Sequence, residues 1–143
     1  MERLEDTFLL IGRLLMAALF LPSGIGKAMG FEGFTKMLGG QGLPYPEVLA
    51  GIGIVIEILG PIALIIGVFP RITALVLIAF VIAATGIAHR FWEFAEPARR
   101  AQEISFYKNV GIIGGLLFYF ASGAGAWALA GRGARTSPVA QTA

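Results

Sequence analysis

The sequence has 143 residues, of which 57% are hydrophobic and only 14% charged, with a formal net charge of +2. A soluble domain of this length has too few interior positions to hide so much apolar surface, so the composition favours a membrane protein. The basic residues form no stripe suited to phosphate binding, and nucleic acid is not an expected partner. With no cysteine and one histidine, the chain is not expected to hold a disulfide, an iron–sulfur cluster, or a metal or haem site.

Four apolar stretches are long enough to cross a bilayer as helices. They cover about 7–29, 47–68, 71–93 and 105–129. The chain begins Met-Glu-Arg-Leu-Glu-Asp, which lacks the basic start of a cleaved signal peptide, so the first stretch is predicted to be a retained span. We therefore predict an all-α bundle of four antiparallel transmembrane helices, with both termini on the same side of the membrane.

The segments between the spans differ in character. The second and third spans are so close together that they predict a tight antiparallel hairpin. Residues 30–46 predict an interfacial loop or a short amphipathic helix, followed by a turn that prolines fix. Residues 90–104 are rich in charge and predict a solvated linker. Residues 1–131 are assigned to a single transmembrane domain, and 132–143 to a flexible polar tail.

Membrane orientation is not decided by the basic residues. An even number of spans places both termini on one face, here side A, and the opposite face is side B. Side B has more Lys and Arg than side A, and the positive-inside rule would therefore place side B in the cytoplasm. Three of the side B cations, Lys27, Arg90 and Lys108, could instead belong to a functional site. Without these three, the two sides have nearly the same number of Lys and Arg residues.

Ionisable residues inside the spans are the main functional clue, because such groups are expensive in hydrocarbon and usually face the bundle interior. At about 1.5 Å of rise per residue, Arg13 lies roughly 9 Å below side A and Glu57 roughly 15 Å below side B. We therefore predict that Arg13 is the counter-ion of Glu57. Lys27, His89 and Asn109 all fall close to side B, and the pattern predicts a polar funnel that opens there.

Structural explanations compete with functional ones for each of these residues. The Glu57–Arg13 pair could serve only to fix helix register, and Arg13 could extend to side A. Lys27 and Lys108 lie near helix ends, where lysines commonly reach for the interface. Thr85 lies one helical turn before His89 and extends its polar face. Asn109 could merely bridge helices.

The sequence resembles the DoxX family of small four-span membrane proteins over roughly residues 8–125. The resemblance rests on a combination of motifs: Gly12-Arg13, Phe20, Ser23-Gly24, Gly26-Lys27, the turn Gly42-Leu-Pro-Tyr-Pro46, Glu57, Gly67, Ala74, Ala83-Ala84-Thr85, His89, Lys108-Asn109 and Gly114-Gly115. It implies the four-helix fold and a location in the prokaryotic plasma membrane. One branch of the family is the large subunit of an archaeal thiosulfate:quinone oxidoreductase, and other members are linked to thiol-redox assemblies.

These observations lead to an expected function. The chain is predicted to be a subunit of a membrane oxidoreductase that binds a quinone-type acceptor or a small redox substrate, with no covalently bound cofactor. Glu57 and His89 are the predicted catalytic residues, and the predicted binding residues are Arg13, Lys27, Thr85, Lys108 and Asn109. Expected partners are the lipid bilayer and a second oxidoreductase subunit, and a homo-oligomer is compatible. The alternatives are a non-catalytic scaffold for a soluble redox partner and a small proton-coupled solute carrier.

Overall fold

A computed structural model describes residues 2–129 of the chain. The predicted tail at 132–143 lies outside the described residues. Those described form five α-helices: α1 (Glu2–Met29), α2 (Phe31–Gly40), α3 (Pro46–Ile66), α4 (Pro70–Ala88) and α5 (Ala98–Ser122). Within this part of the chain four helices, all but α2, are long and apolar enough to cross a membrane, which confirms the predicted fold class.

The last membrane helix lies earlier in the sequence than predicted. It begins at Ala98 rather than 105 and ends at Ser122 rather than 129. The prediction followed apolar residues only, but Arg, Ala, Gln and Glu are strong helix formers and extend α5 into the charged segment. At the other end Gly123 and Gly125 both have positive φ of 76°, which helical backbone does not allow. Much of the predicted solvated linker is therefore helical.

The connections explain how the spans turn. Residues 30–46 contain α2, the helical alternative of the two predicted, and α2 buries Thr35 and Leu38. The α3–α4 connection is the predicted tight hairpin: Gly67 ends α3 with φ of 73°, and Pro70 occupies the first turn of α4. Glycine takes such a φ at little cost, and proline suits the first helical turn, where its missing N–H is not needed.

The helices bury a shared core and leave an apolar surface on the outside of the bundle. α1 lies against α3, α3 against α4, and α4 against α5, and the core includes Phe20, Leu64, Leu77 and Leu116. Large apolar side chains elsewhere on the spans remain exposed, as expected for a surface in contact with lipid. Such helices pack through close backbone approach, since lipid offers no hydrophobic effect to drive them together.

The two ends of the described chain meet on side A. The Asp6 carboxylate, in the first turns of α1, accepts a 2.6 Å hydrogen bond from the backbone N–H of Ala126, beyond the end of α5. This contact confirms that both ends lie on the same side, and it ties the segment after α5 to the first helix.

Removing the Asp6 charge is expected to loosen this connection. Hydrogen bonds to charged groups contribute about 1.5–3 kcal/mol, so for the half-buried Asp6 we expect Asp6→Asn to lower the free energy of unfolding by about 1 kcal/mol. Reversible unfolding in mixed detergent micelles measures this change. Glu5→Gln, at an exposed neighbouring position, is the control and should have no effect. Equal effects of the two changes would contradict the assignment.

Candidate functional site

Glu57 lies near the middle of α3 and is only 3% exposed. Its Oε2 accepts a 2.6 Å hydrogen bond from the Lys27 ammonium, and its Oε1 accepts one of 2.9 Å from the Ser23 hydroxyl. Ser23 and Lys27 are one turn apart on α1, so the same face of that helix supplies both donors. The carboxylate therefore has an opposite charge and a neutral donor, one for each oxygen.

Gly24 allows this close meeting of α1 and α3. A Cβ placed there would lie 2.9 Å from the Glu57 Cβ, a distance that real Cβ atoms hardly ever show, and 3.0 Å from the Glu57 carbonyl carbon. The absence of a side chain at Gly24 lets the two backbones approach, as small residues do at helix contacts in membranes. Ser23 and Lys27, on either side of it, then reach the carboxylate directly.

The predicted Glu57–Arg13 pair is wrong. Arg13 donates from Nη2 to the Trp127 carbonyl oxygen at 2.8 Å, near side A, whereas Glu57 binds Lys27. Arg13 and Lys27 are separated by about 21 Å along α1. The reason is that helical side chains lean toward the helix N-terminus, here side A. That lean takes Arg13 away from Glu57 and takes Lys27 inward, toward the carboxylate, rather than out to the interface.

Two further polar pairs lie on α4 and α5. The His89 Nδ1 is 2.8 Å from the Gln102 side-chain oxygen, so Nδ1 donates and Nε2 makes no hydrogen bond with the described residues. Asn109 donates from Nδ2 to the Thr85 hydroxyl at 2.8 Å, and Thr85 in turn donates to the Val81 carbonyl at 2.6 Å. The His89 Nε2 and the Asn109 amide oxygen are thus left available to a ligand.

These groups meet at a cavity of about 190 Å³ near side B, called here the side B cavity. Its lining residues come from α1, α3, α4 and α5, and from His89, which directly follows α4. They are Leu19, Phe20, Ser23, Lys27, Glu57, Phe80, Val81, Ala84, His89, Lys108, Asn109 and Ile112. Of the predicted site residues, the structure brings together five here. Thr85 lies behind Asn109 rather than at the wall, and Arg13 is absent.

The charge of the side B cavity is positive. Glu57 offsets Lys27, whereas Lys108 is exposed and has no ion pair with any residue in 2–129. The Lys27 side chain is 29% exposed and also lies 5.2 Å from the Phe34 ring centre and 5.7 Å from that of Phe80. Cations over aromatic faces are stabilised by the ring electrons. The cavity can therefore attract an electron-rich or anionic group.

Sequence reasoning missed two residues of this site. Ser23 lies one turn before Lys27 on the same helical face, so its position could have been found from spacing alone. Gln102 fell in the segment predicted as a linker, and its contact with His89 depends on α5 beginning at Ala98. Neither residue is ionisable, which is why a search for buried charges passed over them.

Comparison with known proteins gives relatives over most of the chain. It is 33% identical over 125 residues to the inner membrane protein YphA of Escherichia coli, covering 87% of this chain and 89% of that protein. It is 32% identical over 129 residues to the inner membrane protein YqjF of the same organism, covering 90% and 94%. No solved structure gives a significant match.

The location follows from the spans and from these relatives together. Four helices of membrane-spanning length and two inner membrane relatives make this an integral protein of the prokaryotic plasma membrane, in contact with the lipid bilayer, as predicted. The profile of the DoxX family matches residues 8–90, more than half of the chain, and includes Glu57 and His89. The chain therefore belongs to the DoxX family.

Proposed function

We propose that the chain is the quinone-binding subunit of a membrane oxidoreductase, and that the quinone headgroup occupies the side B cavity. The observation that carries the proposal is the convergence of Lys27, His89, Lys108 and Asn109 on one small space beside the buried Glu57. Intramembrane ionisable residues that face a shared cavity are candidates for a functional site by default.

The size and walls of the cavity support a single ring. Sites for drug-sized ligands usually have volumes of about 300–1,000 Å³. The side B cavity, at about 190 Å³, is smaller, so it fits one ring and not a long molecule. Leu19 lines it and is 41% exposed on the outside of the bundle. A hydrophobic tail can leave along Leu19 into lipid, and the Phe20 and Phe80 rings provide apolar walls.

The polar groups match what quinone reduction requires. Each quinone carbonyl gains negative charge as electrons arrive, and positioned cations and N–H donors stabilise such charge strongly in a site that excludes water. Lys27 and Lys108 supply the cations. Reduction to the quinol takes up two electrons and two protons. With Nδ1–H held by Gln102, Nε2 of the neutral ring carries no proton, so His89 delivers one from its imidazolium form after taking up a proton from solution. The Lys27 ammonium can deliver the other.

Glu57 acts through Lys27 in this proposal. Both of its oxygens are already hydrogen-bonded, so it reaches the ligand only by fixing the ammonium and by exchanging a proton with it. The electrons come from a second subunit or from a small reduced substrate, because the sequence has no cysteine with which to carry them. The protein supplies binding, orientation and electrostatics, and the quinone supplies the redox chemistry.

Binding of decylubiquinone to the purified chain in lipid nanodiscs tests the proposal. We expect Lys108→Met and His89→Ala each to raise Kd about tenfold or more, because each removes a polar contact to the headgroup, charge-assisted in the case of Lys108. Lys36→Met is the matched control, since Lys36 lies on α2 with a side chain that is 74% exposed. Organic extracts of the wild-type protein should also contain quinone.

The alternatives give different results. No quinone in the extracts, together with an unchanged decylubiquinone affinity in both variants, would contradict the proposal. If those variants also capture the same soluble partner as the wild type, the scaffold alternative stands. If sealed vesicles that contain the protein take up a solute together with protons, and Glu57→Gln abolishes this uptake, the solute-carrier alternative is supported instead.

A further inference from the structure

Arg13 is a buried cation with most of its hydrogen-bonding capacity unused. It is 1% exposed, and it makes one hydrogen bond, to the Trp127 carbonyl. Its Nε and Nη1 have no acceptor among residues 3–129, and it forms no ion pair with a side chain in that range. The remaining sequence, 130–143, contains no Asp or Glu. A buried charge without a partner is strongly unfavourable, so this arrangement indicates that an acceptor other than residues 3–129 completes it.

A second unused donor lies beside the first. The Tyr119 hydroxyl of α5 is also buried without a hydrogen-bond partner among the described residues. Tyr119 and Arg13 line the same space between α1 and α5. Buried hydroxyls nearly always find a partner, and two adjacent groups that lack one point to the same missing acceptor. A carboxylate suits these donors, because it has two oxygens that accept and because hydrogen bonds between guanidinium and carboxylate are charge-assisted.

A crevice leads from these donors to the lipid. Arg13 and Tyr119 both line a space of about 320 Å³ between α1 and α5, called here the side A crevice. α1 packs mainly on α3, and α5 mainly on α4, so the two helices flank this opening. Its other walls are almost entirely apolar, and three of the lining side chains are exposed at its mouth, Phe8 by 65%, Leu15 by 67% and Phe118 by 79%.

We propose that the side A crevice binds a long-chain carboxylic acid from the bilayer. In the structure the Arg13 Nε and Nη1 and the Tyr119 hydroxyl oxygen lie beneath the crevice wall, so binding requires both side chains to turn these donors toward the carboxylate. The hydrocarbon chain follows the apolar walls out to the lipid. The crevice volume falls at the lower end of the range for drug-sized ligands. Phospholipid headgroups belong at the interface, whereas Arg13 lies roughly 9 Å deeper, at a level that a slim single-chain acid can reach.

This site is independent of the proposed quinone function, because it uses the opposite end of α1. Palmitate is the probe: its binding to the full chain in detergent micelles is measured by titration, and retained acid is detected by native mass spectrometry. Arg13→Gln should raise the palmitate Kd at least tenfold, through loss of the charge-assisted pair. Tyr119→Phe should raise it about threefold or more and, because the hydroxyl has no protein partner, should leave the fold intact.

Control variants and a second measurement allow the proposal to be tested even if Arg13→Gln fails to fold. Tyr107→Phe, at a tyrosine that is 61% exposed, and Arg71→Gln, at an exposed arginine, should leave palmitate binding unchanged. Palmitate should raise the Tm of the wild type and raise that of Tyr119→Phe less. Three results would overturn the proposal: no palmitate binding by the wild type, equal affinity for hexadecanol, or retention of phosphatidylglycerol in place of the acid.

Discussion

Lys27→Met is expected to lower the free energy of unfolding by about 3 kcal/mol, because it leaves the Glu57 carboxylate buried without its counter-ion. Only the Ser23 hydroxyl would remain on that carboxylate. Removing one member of a buried pair costs about 3–5 kcal/mol, and the remaining Ser23 hydrogen bond places the expected value at the low end of that range. Reversible unfolding in mixed detergent micelles measures the change.

A double-mutant cycle isolates the pair from the loss of lysine packing. Glu57→Gln should cost less than Lys27→Met, about 1–2 kcal/mol, because the Lys27 side chain is 29% exposed and can turn toward water. In the double variant Lys27→Met/Glu57→Gln no buried charge remains, so we expect it to be more stable than Lys27→Met alone. The coupling energy is then about 2 kcal/mol, within the range for residues in direct contact.

The chain contains a matched control for this cycle. Lys36 and Glu32 form a pair of similar length, 2.7 Å, on the outer face of α2, with side chains 74% and 84% exposed. Pairs of this exposed kind contribute about 0.3–0.5 kcal/mol. Lys36→Met/Glu32→Gln should therefore show a coupling below about 0.5 kcal/mol. If the two cycles gave the same coupling, Glu57 and Lys27 would not be a buried pair in the membrane.

The spans and most of the side B cavity could be predicted because both depend on depth along a helix. Apolar length locates each span, and a fixed rise per residue places Lys27, His89 and Asn109 near one face. Groups at one level of a four-helix bundle lie close together when they face its interior, as ionisable residues in membranes usually do. For that reason, the prediction that Lys27, His89 and Asn109 lie together does not depend on the exact ends of the helices.

Depth alone could not give the partner of Glu57. Arg13 at about 9 Å below side A and Glu57 at about 15 Å below side B differ in depth by only about 6 Å in a core about 30 Å thick. The lean of helical side chains toward the helix N-terminus nevertheless separates Arg13 from that carboxylate and brings Lys27 to it. The start of α5 was missed for another reason. Charged residues that favour helices extend a span into water, and no count of apolar residues marks where such a helix begins. Gln102 lies in that extension, which is why it contacts His89.

Gly67→Ala is expected to destabilise the fold by about 3 kcal/mol, for two separate reasons. Gly67 has φ of 73°, which disfavours any side chain by about 1 kcal/mol or more. A Cβ at this position would also collide with the Arg13 Nη1 and with the Ala128 Cβ. Overpacking of a tight contact costs about 1–3 kcal/mol, because neither a buried guanidinium nor an ordered turn can move freely.

Gly42→Ala separates these two contributions. Gly42 has a similar φ of 77°, but a Cβ there would meet nothing within 4 Å, so this change introduces only backbone strain. We expect it to cost about 1 kcal/mol in the same unfolding measurement. The excess for Gly67→Ala is then the steric contribution at Arg13. An excess near zero would mean that Arg13 and the α3–α4 turn are not in contact.

The Gly67 contact also joins stability to the proposed acid site. The guanidinium that the added methyl displaces is the group that we propose binds the carboxylate in the side A crevice. Gly67→Ala should therefore weaken palmitate binding as well as the fold, whereas Gly42→Ala should leave binding unchanged at equal occupancy of the folded state. A variant that loses stability but binds palmitate normally would separate Arg13 from the ligand. The turn after α3 would then serve packing alone.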